Sequence, residues 1–430
     1  MYNPFKFLSR LSSIETNALL TIFCRFLGMA AGFATSLVTA RVMGPTGRGE
    51  YFYVITLASM IAQFGNLGLH ASNSYLVAQD ERLARNLTIN GLWISCLLGG
   101  GTSAITVMIL AINHTSKSVH FHLLPFALIL APVSIFFMLN CNLLVGLNRL
   151  RAFNLVQCGT SALTLILISL IALTNSNTPS LFLSAPTIAL LIACSLLANT
   201  LLRNPGAAAS YSFDWPLFQK GFSYSLKAYL ATLFGYIILR GNVFVVEALR
   251  GSAELGVFSV ALQLMDVMIV VPTSFAMVLF PKLMRTRIAS RWNMMTTTLA
   301  LVAFLMLIEC LAAGTLGRWF ISNTFGAKYR AASDLLLYLL PGTFCLGLCS
   351  VISQSLAADG FPRSQVLVWI MTAVVALPLC WYLTVLYGAK GSAISLSVAH
   401  GLALLLLWIS ACRRSAAQKT VSIPDAERIK

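Results

Sequence analysis

The residues from Ala18 to Val42 read ALLTIFCRFLGMAAGFATSLVTARV, an apolar run that contains two charged residues, Arg25 and Arg41. A helix that crosses a bilayer needs about 20 mostly apolar residues, because lipid offers no partner for exposed backbone groups. The run has that length, so it predicts a first transmembrane helix.

Similar runs follow along the rest of the chain. The sequence is 58% hydrophobic and only 10% charged, with a mean hydropathy of +0.83, whereas a soluble domain carries about 25% charged residues. The pattern predicts an all-α polytopic membrane protein with about 12 transmembrane helices. The predicted spans are residues 18–43, 50–69, 88–112, 122–145, 153–173, 183–202, 222–248, 255–279, 293–316, 334–357, 365–387 and 391–411.

The basic residues predict how the chain is oriented in the membrane. The formal net charge is +16, and most lysines and arginines fall in alternate short connections between the apolar runs. Cytoplasmic loops carry such an excess of positive charge. We therefore expect a multi-pass protein with both termini cytoplasmic, and we do not expect nucleic acid as a partner.

The chain divides near its middle. Residues 204–221, NPGAAASYSFDWPLFQKG, form a long polar stretch and predict a cytoplasmic linker. The linker separates an N-terminal six-helix bundle, residues 1–203, from a C-terminal one, residues 222–412. Residues 413–430 are predicted to form a cytoplasmic tail.

An internal repeat supports this division. The sequence GPTGRGEY, residues 44–51, follows the first span, and GSAELGVF, residues 251–258, follows the seventh. Without gaps, Gly44 aligns with Gly251, and Tyr51 aligns with Phe258. Both segments predict a tight glycine turn between two helices, and duplicated halves are typical of transporters.

These motifs carry a resemblance to a known family. The sequence resembles the polysaccharide and O-antigen flippase (Wzx-type) branch of the superfamily of multidrug, oligosaccharidyl-lipid and polysaccharide exporters. The matching segments are ARVMGPTGRGEY (residues 40–51), GNLGL (65–69), ELGVFSVA (254–261), FPKL (280–283), FGAKY (325–329) and QSLAADGFP (354–362).

The resemblance implies two six-helix bundles around a central cavity and transport by alternating access. It implies an undecaprenyl-diphosphate-linked oligosaccharide as cargo, moved across the bacterial inner membrane for O-antigen or exopolysaccharide biosynthesis, with membrane lipid and other polysaccharide assembly proteins as partners. One position departs from the pattern, because Asn242 lies where many relatives have an acidic residue.

Four basic residues are candidates for binding the cargo. Charged side chains inside spans are costly and usually face a cavity or a partner, and Arg25 and Arg240 lie deep in the first and seventh spans. A guanidinium suits the oxygens of a diphosphate. Lys227 and Arg41 lie nearer to span ends. The alternatives are snorkelling to the interface or a structural pair with an acid on a neighbouring helix.

Two acids inside spans, Asp266 and Glu309, are candidates for ion coupling during antiport, because a buried carboxyl can carry a proton. The alternative for both is a structural salt bridge. The sequence predicts no catalytic residues, no metal site and no cofactor.

Two other function classes stay open. A drug or small-cation exporter of the same superfamily would favour acidic or aromatic residues in its cavity. A membrane glycan polymerase or transferase would be an enzyme and would need a positioned acid, base or metal, often on a long outer loop. The sequence has neither a long outer loop nor a cluster of acids, so we expect a protein that is not an enzyme.

Overall fold

The computed structural model describes residues 4–112, 121–174, 176–203, 211–286, 288–358, 360 and 363–421, and within these ranges the chain is almost entirely helical. The helices are α1 (Pro4–Gly65), α2 (Leu69–Gln79), α3 (Ala84–Ile94), α4 (Gly101–Ile112), α5 (Leu124–Gly146), α6 (Leu150–Leu173), α7 (Pro179–Leu202), α8 (Trp215–Arg250), α9 (Ser252–Met268), α10 (Val270–Arg285), α11 (Ile288–Thr324), α12 (Ala331–Ala358), α13 (Arg363–Tyr387) and α14 (Ala389–Val421).

Ten helical segments of the described chain are long and apolar enough to cross a membrane, so the prediction of an all-α polytopic protein is confirmed. One of them, Phe23–Gly65, is 43 residues long, about 65 Å of helix, which is twice the thickness of the hydrocarbon core. Residues 84–112 are also helical throughout, since a π-helical segment (Ser95–Gly100) joins α3 to α4. The number of twelve crossings stays a prediction.

The apolar surface of these helices is typical of a protein in lipid. Leu155 and Leu173 on α6 are 74% and 78% exposed, and Phe304 on α11 is 60% exposed. A soluble protein would bury such side chains, whereas lipid solvates them.

Glycine at the two repeated turns adopts the same backbone conformation. Gly44 interrupts α1 with φ 69° and ψ −176°, and Gly251 precedes α9 with φ 79° and ψ 175°. Positive φ is costly for residues with a Cβ, which explains why both aligned positions carry glycine.

The chain forms two compact units, residues 1–226 and 227–430. In the first unit, Leu139 and Ile135 on α5 pack against Leu69 of α2. In the second, Met306 of α11 and Val351 of α12 share a core with α10.

The structure differs from the predicted boundaries at the linker and the tail. Helix α8 begins at Trp215, inside the stretch predicted as linker, and α14 continues to Val421, inside the predicted tail. In the first case, the Oδ1 atom of Asp214 accepts a hydrogen bond from the backbone N–H of Leu217 at 3.1 Å, which caps the start of the helix.

Proline marks two kinds of position. Pro186 and Pro378 lie inside α7 and α13, as the sequence predicts. Pro272 instead lies in the first turn of α10, just after α9 ends at Met268. Proline has no N–H to bond the carbonyl four residues earlier, so this predicted span is divided into two helices.

Candidate functional site

One predicted cargo-binding cation and one predicted coupling acid lie in contact. The Nη2 atom of Arg240 on α8 donates to the Oδ2 atom of Asp266 on α9 at 2.7 Å. Each residue lies more than about 15 Å along its helix from the Gly251 turn that joins the two helices. The pair therefore lies deep within consecutive spanning helices.

The pair is partly buried and incompletely satisfied. The exposed fractions of the two side chains are 16% for Arg240 and 31% for Asp266. The Nη1 atom of Arg240 is buried and makes no hydrogen bond with any described residue. A buried donor without a partner is uncommon, so this guanidinium has capacity for one more acceptor.

Arg25 lies on α1, beside the contact of that helix with α6. The Nδ2 atom of Asn154 donates to the Oγ1 atom of Thr21 at 2.9 Å, and a Cβ added at Gly28 would lie 3.8 Å from the Oγ atom of Ser161. Arg25 itself is exposed. It belongs to the first unit and Arg240 to the second, and their shared chamber stays a prediction.

The other predicted site residues have separate surroundings. Arg41 is exposed in the last turn before Gly44, and Lys227 lies on α8 with its side chain outside the part that the structure describes. Glu309 on α11 is half-buried, and its Oε2 atom accepts no hydrogen bond from the described residues. These assignments remain predictions.

Asn242, the departure from the family pattern, lies two residues after Arg240 and is 3% exposed. Its amide borders a cavity of about 10 Å³ that Cys380, Ser392 and Ser395 also line. A cavity of this size holds about one water molecule. The position is therefore polar but carries no charge.

Sequence reasoning missed the role of Arg48. This residue lies within the predicted glycine turn, residues 44–51, and is 2% exposed. Its Nη1 atom donates to the Oγ1 atom of Thr39 at 2.7 Å, and its Nη2 atom donates to the Oγ atom of Ser36 at 2.8 Å. Its guanidinium also lies 5.7 Å from the ring centroids of Tyr51 and Phe52. Arg48 therefore joins the two segments of α1 across the Gly44 turn.

The segment before α8 docks on α3, which the sequence also did not predict. The backbone N–H of Asp214 donates to the Oδ1 atom of Asn90 at 2.8 Å, and Asn90 Nδ2 donates back to the Asp214 carbonyl at 2.9 Å. Trp93 Nε1 donates to the carbonyl of Tyr211 at 3.1 Å. Asn90 and Trp93 lie three residues apart and therefore on one face of a helix. This spacing is the signal in the sequence that could have indicated a docking surface on α3.

At the Gly251 turn, Glu254 makes two contacts that tie the turn to its neighbours. The Oε1 atom of Glu254 accepts from the backbone N–H of Ala389, the first residue of α14, at 2.5 Å. The Oε2 atom of Glu254 lies 3.3 Å from the Nε atom of Arg250. In the first unit, the aligned residue Gly47 lies against Pro179, the first residue of α7. Each glycine turn thus contacts the start of the last spanning helix of its own unit.

Within the described ranges, no three His, Cys, Asp or Glu side chains come together as a group that could hold a metal ion.

Comparisons with known proteins agree with this architecture. A family model described as polysaccharide biosynthesis protein matches residues 14–287. A Shigella flexneri protein named "Putative O-antigen transporter" is 22% identical over 386 residues, which cover 86% of this chain and 91% of that protein.

Solved structures show the same fold. An inward-facing multidrug resistance MATE family transporter of the MOP superfamily matches with a TM-score of 0.74 at 14% identity, covering 94% of this chain and 99% of its own. The lipid II flippase MurJ, in an inward closed conformation, matches with a TM-score of 0.69 at 19% identity, covering 92% of this chain and 87% of its own.

Proposed function

This chain belongs to the polysaccharide biosynthesis protein family, and on that premise we propose that it is a flippase for a lipid-linked oligosaccharide. The cargo is an undecaprenyl-diphosphate-linked oligosaccharide, which the protein moves across the bacterial inner membrane by alternating access for surface polysaccharide assembly. The Shigella flexneri relative bears the name of an O-antigen transporter, and one structural neighbour is a lipid II flippase. Both names support a carrier rather than an enzyme.

The observation that carries the site is the Arg240–Asp266 pair. Its guanidinium holds one carboxylate and keeps a buried Nη1 donor without a partner among the described residues. A diphosphate offers several acceptor oxygens in the planar arrangement that an Arg fork binds best. Arg240 is therefore the proposed ligand of the cargo diphosphate in the second unit, and Arg25 is its counterpart in the first.

The same pair couples transport to protons in this proposal. While Asp266 is ionised, its carboxylate competes with the diphosphate for Arg240. Protonation removes that negative charge and frees the guanidinium for the cargo. Asp266 is thus the proposed coupling acid, with Glu309 as a second acid on α11, and Lys227 and Arg41 as cations nearer to the span ends.

The test measures lipid-linked glycan delivered to the outer face in cells that express Arg240→Ala or Asp266→Asn. Arg250→Ala is the matched control, because Arg250 also lies on α8 beside an acid but is 40% exposed at the turn. A charged hydrogen bond is worth about 1.5–3 kcal/mol, so loss of Arg240 lowers delivery roughly tenfold to a hundredfold. The control retains most of the activity.

The outcomes separate the site from the function. Normal glycan delivery by well-expressed Arg240→Ala would reject the site. Wild-type protein that exports small cations but delivers no glycan would reject the cargo class and favour a drug exporter. Since Asp266→Asn keeps the size of the side chain, it tests the pair even if Arg240→Ala folds poorly.

The proposed topology places both termini in the cytoplasm. Reporter fusions to the last residue, one active only in the cytoplasm and one active only outside it, give a direct test. Activity of the external reporter would overturn the topology.

A further inference from the structure

A long groove runs between α13 and α14 on the second unit. Its volume is about 420 Å³, within the range of small-molecule sites. Leu367 and Met371 on α13 and Leu406 and Ile409 on α14 form its apolar length. Leu367 and Met371 are 55% and 57% exposed, so the groove opens to the surroundings of the helices.

The base of the groove is held by a polar contact between the helices. The Oγ atoms of Ser364 and Ser410 are 2.7 Å apart. This hydrogen bond joins α13 and α14 through two side chains that also line the groove. The groove is therefore a fixed feature of the helix pair.

Two arginines stand at one end of the groove. Arg413 and Arg414 line it within the last turns of α14, and no Asp or Glu is among the described residues that line it. From Arg413 to Leu406 the groove extends about 10 Å along α14. Its cationic end and apolar length match the headgroup and the acyl chain of an anionic lipid.

We propose that this groove binds one anionic phospholipid, with its phosphate at Arg413 and Arg414 and one acyl chain along Leu367, Met371 and Ile409. Basic residues at the end of a spanning helix attract anionic headgroups, and each contributes about 1 kcal/mol. A zwitterionic lipid lacks the net charge for this gain. The open side of the groove suits a lipid of the surrounding leaflet, and the proposal does not depend on the proposed cargo.

The test is native mass spectrometry of the purified full-length protein in detergent with added phosphatidylglycerol or phosphatidylethanolamine. We expect tighter binding of phosphatidylglycerol. The double variant Arg413→Gln/Arg414→Gln weakens it about thirtyfold, since 1 kcal/mol per arginine corresponds to about fivefold. The matched control is Lys282→Gln/Arg285→Gln, which removes two exposed cations from the last turn of α10 and leaves the binding unchanged.

A second variant tests the apolar part of the groove. Met371→Trp fills the groove, so it weakens binding of long-chain phosphatidylglycerol but not of a dihexanoyl form. The proposal would be overturned if the Lys282/Arg285 control lost as much affinity for phosphatidylglycerol as the Arg413/Arg414 variant. It would also be overturned if the Arg413/Arg414 variant bound phosphatidylglycerol as well as the wild type does. Displacement of phosphatidylglycerol by equimolar undecaprenyl phosphate would also overturn it, because the groove would then hold the cargo lipid. If the double variant folds poorly, the single Arg413→Gln variant is measured instead, and we expect it to weaken phosphatidylglycerol binding about fivefold.

Discussion

Replacement of Arg48 by alanine tests how strongly the Gly44 turn is held. The variant loses two charge-assisted hydrogen bonds, at 2.7 and 2.8 Å, each worth about 1.5–3 kcal/mol. It also loses contacts with two aromatic rings, each worth about 0.5–1 kcal/mol. The cost of burying the charge offsets part of this sum, so we expect a net destabilisation of about 3 kcal/mol.

Native cysteines provide the assay. Cys141 and Cys194 in the first unit are 1% and 9% exposed, so a thiol-reactive dye labels them when the unit unfolds on heating. A loss of 3 kcal/mol lowers the midpoint by roughly 6–12 °C for a unit of about 200 residues.

The control for this prediction is Arg41→Ala, which removes an exposed arginine from the same helix. Surface substitutions usually change stability by less than about 0.5 kcal/mol. Arg48→Lys keeps the charge but loses the planar fork, and we expect an intermediate midpoint. A midpoint for Arg48→Ala within 2 °C of the Arg41→Ala value would refute the reasoning.

Four further substitutions are expected to lower the unfolding midpoint of the unit that carries them, which labelling of Cys141 and Cys194 reports for the first unit and labelling of the buried Cys349 and Cys380 reports for the second. Gly44→Ala and Gly251→Ala each cost about 1–3 kcal/mol, because positive φ combined with ψ near 180° is a region that essentially only glycine adopts. The costs are similar because an added Cβ meets nothing within 4 Å at either site. Gly388→Ala costs more, since φ is +63° and the new methyl group overlaps the Glu254 carboxylate. Asp214→Ala removes the cap of α8 and costs about 1 kcal/mol.

The control for the glycine substitutions is Gly159→Ala on α6. This glycine is exposed, has no positive φ and has nothing within 4 Å of an added Cβ, so alanine there maintains or raises the midpoint. Clearly unequal costs at Gly44 and Gly251 would contradict the shared turn. An unchanged midpoint for Asp214→Ala would show that the cap does not limit the stability of the unit.

The helices could be predicted from the sequence because lipid leaves the backbone no alternative. Helix α2 was not predicted, because it lies between the predicted spans 50–69 and 88–112. In the structure a separate helix begins at Leu69, and the hydroxyl of Ser74 on this helix donates to the carbonyl of Asn142 on α5 at 2.7 Å. Such long-range partners leave no local pattern in the sequence.

The candidate site shows the same limit. The charges of Arg240 and Asp266 inside apolar runs identified both residues, since such charges are costly. Their contact could not be predicted, because it depends on the register that the Gly251 turn gives to α8 and α9. The burial of Arg48 could not be predicted either, because its partners Ser36 and Thr39 come within reach only once the chain turns at Gly44.

The position of the Arg240–Asp266 pair favours a cycle in which the charge of Asp266, rather than a movement of the helices, controls release of the cargo from Arg240. Both residues lie in one compact unit, on consecutive helices joined by a tight turn. In the proposed alternating-access cycle, a rigid movement of that unit would leave the 2.7 Å contact unchanged. A change in the charge of Asp266 weakens the contact without moving either helix. If Arg240 binds the cargo diphosphate, release of the cargo therefore follows deprotonation of Asp266, whose carboxylate then competes for the guanidinium. Asp266→Asn should give transport that no longer responds to the proton gradient.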